Sequence, residues 1–582
     1  MSSIPGSRRR AVNRSSEDCY ASPSLPSIES SSPSSGPSPS PKRQKRSSGS
    51  SADSDESMGD IRVEDFRVGG PYLCALPTLN FALPEQHPIY RKWKSGLERG
   101  VVDLLNHHSI HWQTLDLVDR RSARYDDDGK TETVIVPATR DIPDRSWLNA
   151  CLDIRNLFQL HNLPTLNIEI IDPRASAERY TFPVFEDDKI YPKWHDLSAR
   201  ICELIGMEGW LSLECFEEAQ LLKLYEATFV RTTDMDLTSV VLPDNAWEQK
   251  AQLGMSIGPH GSDYSGSTFG GFLQLLHPST KQWNTFGLTC YHCVDSEEGS
   301  NDSSRLSKDV KEWRETGMRV DQAKSALIDQ PALKDHMKRM ELIKEATENW
   351  MKSPVRERIE AAMSNNEFIT PTDEARYKRF QDNINQLLTI KHKAENFFAT
   401  GDALLGRVFA ASGYRFTPCP MRRQLDWALI EVVTPRIGSN NMPPTGSYRD
   451  EFADFSGQLM EQPSVNDPPH GSALYKIGRR TNFTSGRYQG LHSVHLESWK
   501  TDKNGKKTVV VTEEEAVTRK NGLQFCAQGD SGSFIFDVEM KFVGLLFAGN
   551  METGVGYFTP AAILFEDIKA MTGALEVRLP LS

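Results

Sequence analysis

No run of 18 apolar residues occurs anywhere in the 582-residue chain, so no membrane-spanning helix is expected. The first ten residues lack an apolar core and end in Arg8-Arg9-Arg10, which is not the pattern of a secretory leader. Cysteine is scarce and odd in number: nine residues, at 19, 74, 151, 202, 215, 290, 293, 419 and 526. That set reads as reduced thiols in a reducing, intracellular compartment and not as a disulfide framework. Basic residues are outnumbered 67 to 79, giving a net charge of −12, so a broad basic surface for nucleic acid is not expected. Aromatic residues are almost missing from positions 1–62, a Ser/Pro-rich stretch that cannot bury a core and is expected to be a disordered tail.

Within that tail, Pro41-Lys42-Arg43-Gln44-Lys45-Arg46 has the composition of a nuclear-import signal. Lys42, Arg43, Lys45 and Arg46 would engage an import receptor; the other reading is a solvated basic patch. Localisation is thus expected to be nuclear or nucleo-cytoplasmic, with the cytoplasm as the alternative. The acidic serine run Ser51 to Ser57 suits phosphorylation, which would change the local charge.

Residues 65–231 alternate helical and strand patterns: helix from Ile89 to Leu105, strand from His111 to Val118, and strand from Thr131 to Val136 after an Asp126-Asp127-Asp128-Gly129 turn. Helix follows from Trp147 to Leu160, strand from Leu166 to Ile171 and helix from Leu197 to Ile205. This is an α+β domain without a phosphate loop, paired carboxylates or a metal cluster. It reads either as a targeting or autoregulatory module or as a scaffold packing on the C-terminal half of the chain. A linker, 232–260, comes next.

Three later segments carry chemistry. Gln528-Gly529-Asp530-Ser531-Gly532-Ser533 lies between apolar stretches. Alone it is equally ordinary turn chemistry. Phe286-Gly287-Leu288-Thr289-Cys290-Tyr291-His292-Cys293-Val294 runs from a strand into a histidine, and Gln424-Leu425-Asp426-Trp427-Ala428-Leu429-Ile430-Glu431-Val432 places an acid before a strand. Each alone has a bland reading, a core histidine or a turn aspartate; all three in the order His, Asp, Ser are harder to assign to chance.

Together they resemble the trypsin/chymotrypsin-like serine proteases. The first matches Gly-Asp-Ser-Gly, the second Thr-Ala-Ala-His-Cys and the third Asp-Ile-Ala-Leu-Leu, in the chymotrypsin order. Ser267 to Leu275, Gly406 to Gly413, Tyr475 to Thr481, Phe542 to Gly549 and Val555 to Pro560 are similar to further strands of that family. The resemblance spans 261–573, leaving a C-terminal tail, 574–582. It implies an all-β double six-stranded barrel behind the α+β domain and the tail. Separating His292 from Asp426 are 134 residues, more than the family needs, and 297–400 reads as a helical insert. Thr370-Pro371-Thr372-Asp373 is a capped helix start, and Leu333, Met337, Met340 and Ile343 form an apolar stripe. The insert is either a lid, exosite or docking arm, or a tolerated loop expansion.

The resemblance implies an intracellular serine endopeptidase with His292, Asp426 and Ser531 as triad, and Gly529 and Ser531 N–H groups as oxyanion hole. Asp530 would support the oxyanion loop. Secreted relatives pair that acid with a freed N-terminus; no Ile-Val-Gly-Gly-like start precedes the first barrel, so another local partner is expected. Phe525, Phe547, Gly549 and Gly556 would line the specificity pocket, favouring an uncharged small or apolar residue before the scissile bond. Cys526 stands five residues before Ser531 where the family cysteine stands four before, so a one-residue shift would move the pocket floor. Cys290-x-x-Cys293 has no second ligand pair at useful spacing, and neither metal nor cofactor is expected. The alternative is a regulatory or binding protein on a catalytically silent protease fold; a third is a nuclear scaffold led by tail and insert.

Overall fold

The computed structural model describes residues 60–177 and 242–580, less 65, 85, 124–130, 141–144, 264, 296–307, 321–325, 419–420, 443–467, 502–506, 520–523 and 551–552. The basic motif, the Asp126–Gly129 turn, the 197–205 helix and Cys19, Cys202, Cys215 and Cys419 lie outside the described residues.

Among the described residues, seven strands form the N-terminal region: β1 (Arg62–Glu64), β2 (Arg67–Gly70), β3 (Thr78–Phe81), β4 (His111–Trp112), β5 (Thr114–Ser122), β6 (Thr131–Thr139) and β7 (Asn167–Ile171). β6 and β7 run parallel, so their connection must cross over, and the Ser146–Leu160 helix makes that crossing. Val134, Val136, Ile168 and Ile170 bury against Cys151, Ile154 and Phe158 of the helix. The helix expected over 89–105 is interrupted at Gly96, whose φ of +120° lies outside the helical region, and resumes as Glu98–His107.

The next strands are β8 (Ser256–Pro259), β9 (Ser267–Thr268), β10 (Gly271–Leu276), β11 (Trp283–Thr289), β12 (Leu327–Asp329), β13 (Leu404–Ala411) and β14 (Ala428–Val432). They are followed by β15 (Ala473–Gly478), β16 (Asn482–Thr501), β17 (Lys507–Arg519), β18 (Phe534–Phe536), β19 (Phe542–Asn550), β20 (Val555–Pro560) and β21 (Val577–Arg578). Among the described residues, one sheet runs β21-β10-β11-β14-β13-β12-β8-β9. In the other, β16-β15-β18-β19-β20-β17 pair in that order and β17 pairs back onto β16. The molecule is mostly β with helices added, but two six-stranded barrels are not delineated. The first sheet is an open path of eight strands, and the second continues into the N-terminal region. Between them lies a shared core of Leu288, Trp427 and Leu429 on one side and Phe534, Phe536, Phe542 and Leu545 on the other.

Three expectations need adjusting. The 297–400 stretch is not helical throughout, because it contains β12, which pairs with both β8 and β13. The Leu333–Met351, Pro354–Ser364 and Pro371–Ala399 helices therefore fill a hairpin connection whose ends meet at Asp329 and Leu404. Thr370 caps the last of them, its Oγ1 accepting from Asp373 N at 3.1 Å, with Pro371 in the first turn. Residues 242–260 are packed and not merely connecting: Leu242, Ala246 and Trp247 bury against Ala394 and Phe397. The C-terminal stretch also joins the sheet, Arg578 pairing with Gln274. In addition, β16 is long enough to reach β5, with Val494 opposite Leu115 and His495 opposite Thr114.

Candidate active site

Strand register brings the first two residues together. β11 pairs with β14 so that Thr289 faces Ala428, and the chain on either side of that pair holds His292 and Asp426. After Thr289 a tight turn forms, Asp295 N donating to Tyr291 O at 3.0 Å, and it turns His292 back toward β14. Asp426 Oδ2 accepts from His292 Nδ1 at 2.6 Å while Oδ1 accepts from the His292 backbone N–H at 3.0 Å. Both carboxylate oxygens thus hold one residue, which fixes the ring's orientation and tautomer. Behind Asp426, Trp427 N donates to Ser412 Oγ at 2.8 Å, and Gln424 N donates to Glu514 Oε1 at 2.8 Å. Burial works against a charged His292 ring, but the Asp426 carboxylate outweighs it and holds the pKa well above the ordinary value.

Ser531 sits on the turn leading into β18. Gly529 and Gly532 have φ values of +98° and +92°, and a Cβ on Gly532 would lie 2.3 Å from Thr268 O. Thr268, at the end of β9, clasps the turn: its N–H donates to Ser531 O at 3.0 Å and its Oγ1 to Gly529 O at 2.9 Å. Among the described residues the N–H groups of Gly529 and Ser531 meet no protein acceptor, which leaves both for a ligand oxygen. The Ser531 hydroxyl donates to Phe547 O at 3.2 Å. No hydrogen bond joins it to His292 among the described residues. Cys293 stands between them, its Sγ 3.7 Å from His292 Nε2 and donating to Ser531 O at 3.5 Å. Burial would raise the Cys293 thiol, but its hydrogen bond with Cys290 and the His292 ring bring it well below the ordinary value.

Asp530 is fully buried and has the local partner expected in place of a freed N-terminus. Lys476 Nζ, equally buried, lies 3.2 Å from Oδ2. Thr481 Oγ1 (2.7 Å) and the N–H groups of Arg480 (2.8 Å) and Ala527 (2.9 Å) also donate to the carboxylate. Burial alone would raise this acid; Lys476 and these donors outweigh it and hold the pKa below the usual range. A second buried pair stands beside it. Arg479 donates through Nε and Nη2 to Asp335 at 2.5 Å each, and its Nη1 lies where a Gly529 side chain would begin.

Of the pocket residues, Phe525 is buried in a core with Leu474, Tyr488 and Val517. Gly549 and Gly556 face each other across β19 and β20, and a Cβ on either would meet Cys526 Sγ, at 2.5 and 3.1 Å. Cys526 therefore lies against both glycines, and Phe525 joins it at Gly556, where its Cδ1 would be 3.0 Å from a Cβ; Phe547 supplies its carbonyl to Ser531. Sequence reasoning missed Thr268, Lys476, Arg479 and Asp335. Lys476 and Arg479 fall within a segment singled out only as a strand, and nothing local marks their long-range partners.

No protein-family model matches the chain, and no curated protein matches it. Among solved structures it is similar to a glutamic acid-specific serine protease, with 12% identity and a TM-score of 0.26 over 57% of this chain and 100% of that one. It is likewise similar to Protease A of Thermobifida fusca (12%, TM-score 0.25, 57% and 98%) and to the Nocardiopsis protease (11%, TM-score 0.24, 57% and 98%). These neighbours are chymotrypsin-like serine proteases. At such scores the likeness decides nothing about chemistry, for which the site geometry is the ground.

Proposed function

We propose that the chain is a serine endopeptidase acting through an acyl-enzyme. Ser531 Oγ attacks the scissile carbonyl carbon while His292 Nε2 takes its proton; collapse of the tetrahedral adduct expels the amine, which receives that proton. Water then repeats the sequence and frees Ser531. The N–H groups of Gly529 and Ser531 bind the oxyanion, each worth about 3–4 kcal/mol in the transition state. The supporting observation is the double Asp426–His292 contact beside a turn whose two N–H groups have no protein acceptor. In this scheme the Ser531 hydroxyl leaves Phe547 O for Nε2 as substrate arrives, since catalytic hydrogen bonds often tighten only in the complex. The glycine pair with Cys526 behind it suits an uncharged small or apolar side chain before the scissile bond. The enzyme is proposed to act inside the cell, with its tail motif as an import signal.

The Ser531–Phe547 bond favours one second reading, a binding protein on a catalytically silent fold. Incubation of wild type and Ser531→Ala with a mixed peptide library separates the two. Cleavage by wild type alone, after uncharged residues, is expected; equal or absent cleavage by both, with each protein folded, speaks for the silent fold.

A further inference from the structure

By spacing alone, Cys290-x-x-Cys293 lacks a second pair of metal ligands. In the fold the missing donor is the residue between them. Cys290 Sγ, His292 and Cys293 Sγ present donor atoms that all lie within 4.8 Å of one another. The turn from Tyr291 to Asp295 causes this, since it folds residues three apart onto one side. Cys293 Sγ and His292 Nε2 are 3.7 Å apart, and a tetrahedral thiolate–imidazole zinc site needs donor separations of about 3.5–3.8 Å.

Three further features suit a soft divalent cation. Two thiols and one imidazole are the donors zinc and cadmium prefer. The histidine is already braced as metal-binding histidines are, with Nδ1 on the Asp426 carboxylate at 2.6 Å and Nε2 turned to Cys293 Sγ. Both cysteines are buried, whereas His292 keeps a solvent-facing edge, so an ion would enter past the histidine.

We infer that Cys290, His292 and Cys293 form a binding site for a thiophilic divalent cation of the zinc class, with water in the fourth position, and that occupancy switches the hydrolase off. On binding, Cys290 and the Cys293–His292 pair each release one proton to solvent, leaving two thiolates and a neutral imidazole, and the two thiolates balance the ion's charge. The lone pair of Nε2 is then donated to the metal and is no longer open to the Ser531 proton. The switching consequence rests on the serine-hydrolase reading; the site itself does not.

The test uses the full-length, reduced, metal-free protein. Cadmium titration is followed by the ultraviolet thiolate-to-cadmium charge-transfer band, beside Cys290→Ser, Cys293→Ser, Ser531→Ala and Asp426→Asn. Wild type and Ser531→Ala are expected to show a saturable band that each cysteine variant loses, and Asp426→Asn to weaken binding about 10–100-fold. A fluorophosphonate probe is then applied with and without saturating zinc, with labelling blocked by zinc and restored by a chelator. A band that persists unchanged in both cysteine variants, or no band in wild type, overturns the site. Labelling that zinc leaves untouched overturns the switch. A band in a protein that is never labelled upholds the site and removes the hydrolase reading instead.

Discussion

At the scale of single residues, the site is held by buried charges that the motif itself does not contain. Gly-Asp-Ser-Gly, the histidine turn and the aspartate strand were legible because each is a short run whose backbone and side chains act locally. Lys476 was not, because its role depends on a partner more than fifty positions away that folding alone supplies. Lys476→Met leaves the Asp530 carboxylate buried without its cation, an arrangement that costs about 3–5 kcal/mol. A large drop in urea midpoint is expected, together with weaker probe labelling. The pH dependence carries the sign: Asp530 is held below its free value of 3.8, so it stabilises wild type above that pH and the contribution fades as pH falls below it. In Lys476→Met that acid-side loss is expected to vanish, and a midpoint that falls as steeply as wild type's would contradict the assignment.

At the scale of elements, the helical insert is tied to the candidate site by its Leu333–Met351 helix. Asp335, in the Leu333–Met351 helix, is fully buried and grips Arg479 beside Gly529. The helical periodicity was visible in the sequence, but the Asp335–Arg479 pair that ties this helix to the Gly529 turn was not, because its partners lie 144 positions apart. Asp335→Ala is expected to destabilise by about 3–5 kcal/mol and to lower labelling, whereas Phe368→Ser, at a position 88% exposed, leaves both unchanged. The β16–β17 hairpin braces the other side of the site. Arg423 and His492 contact Glu515 at 2.6 and 3.2 Å, His492 also meets Glu513 at 3.4 Å, and Glu98 faces the same group. Burial opposes a charged His492, but Glu513 and Glu515 raise its pKa from 6.5 to about 9. Its stabilisation is thus complete below pH 6.5 and lost as pH rises through about 9. His492→Gln is expected to flatten the decline of the urea midpoint over that window; an unchanged slope would remove His492 from the account.

At the scale of the whole molecule, the N-terminal region and the sheets that hold the candidate site share one structure. β5 pairs with β16, Leu491 and Val494 complete the N-terminal core, and Asp116 accepts from Tyr557 Oη at 3.0 Å behind the Gly556 strand. Local patterns place the helices and strands between residues 89 and 171 in the sequence, but not β2, β3 or the Arg174–Ala177 helix. They are silent on this joining, because cross-strand pairing between distant segments leaves no periodic mark. Calorimetry of the full chain is expected to show a single cooperative transition for both regions, and two separate transitions would count against the shared core. The central claim is that Ser531 is an activated nucleophile served by His292 and Asp426. Its most direct test is fluorophosphonate labelling of the metal-free protein, with the adduct located by tandem mass spectrometry. The account predicts the adduct on Ser531, absent in Ser531→Ala and strongly reduced in His292→Ala; an adduct elsewhere, or labelling of Ser531→Ala equal to wild type, would contradict it.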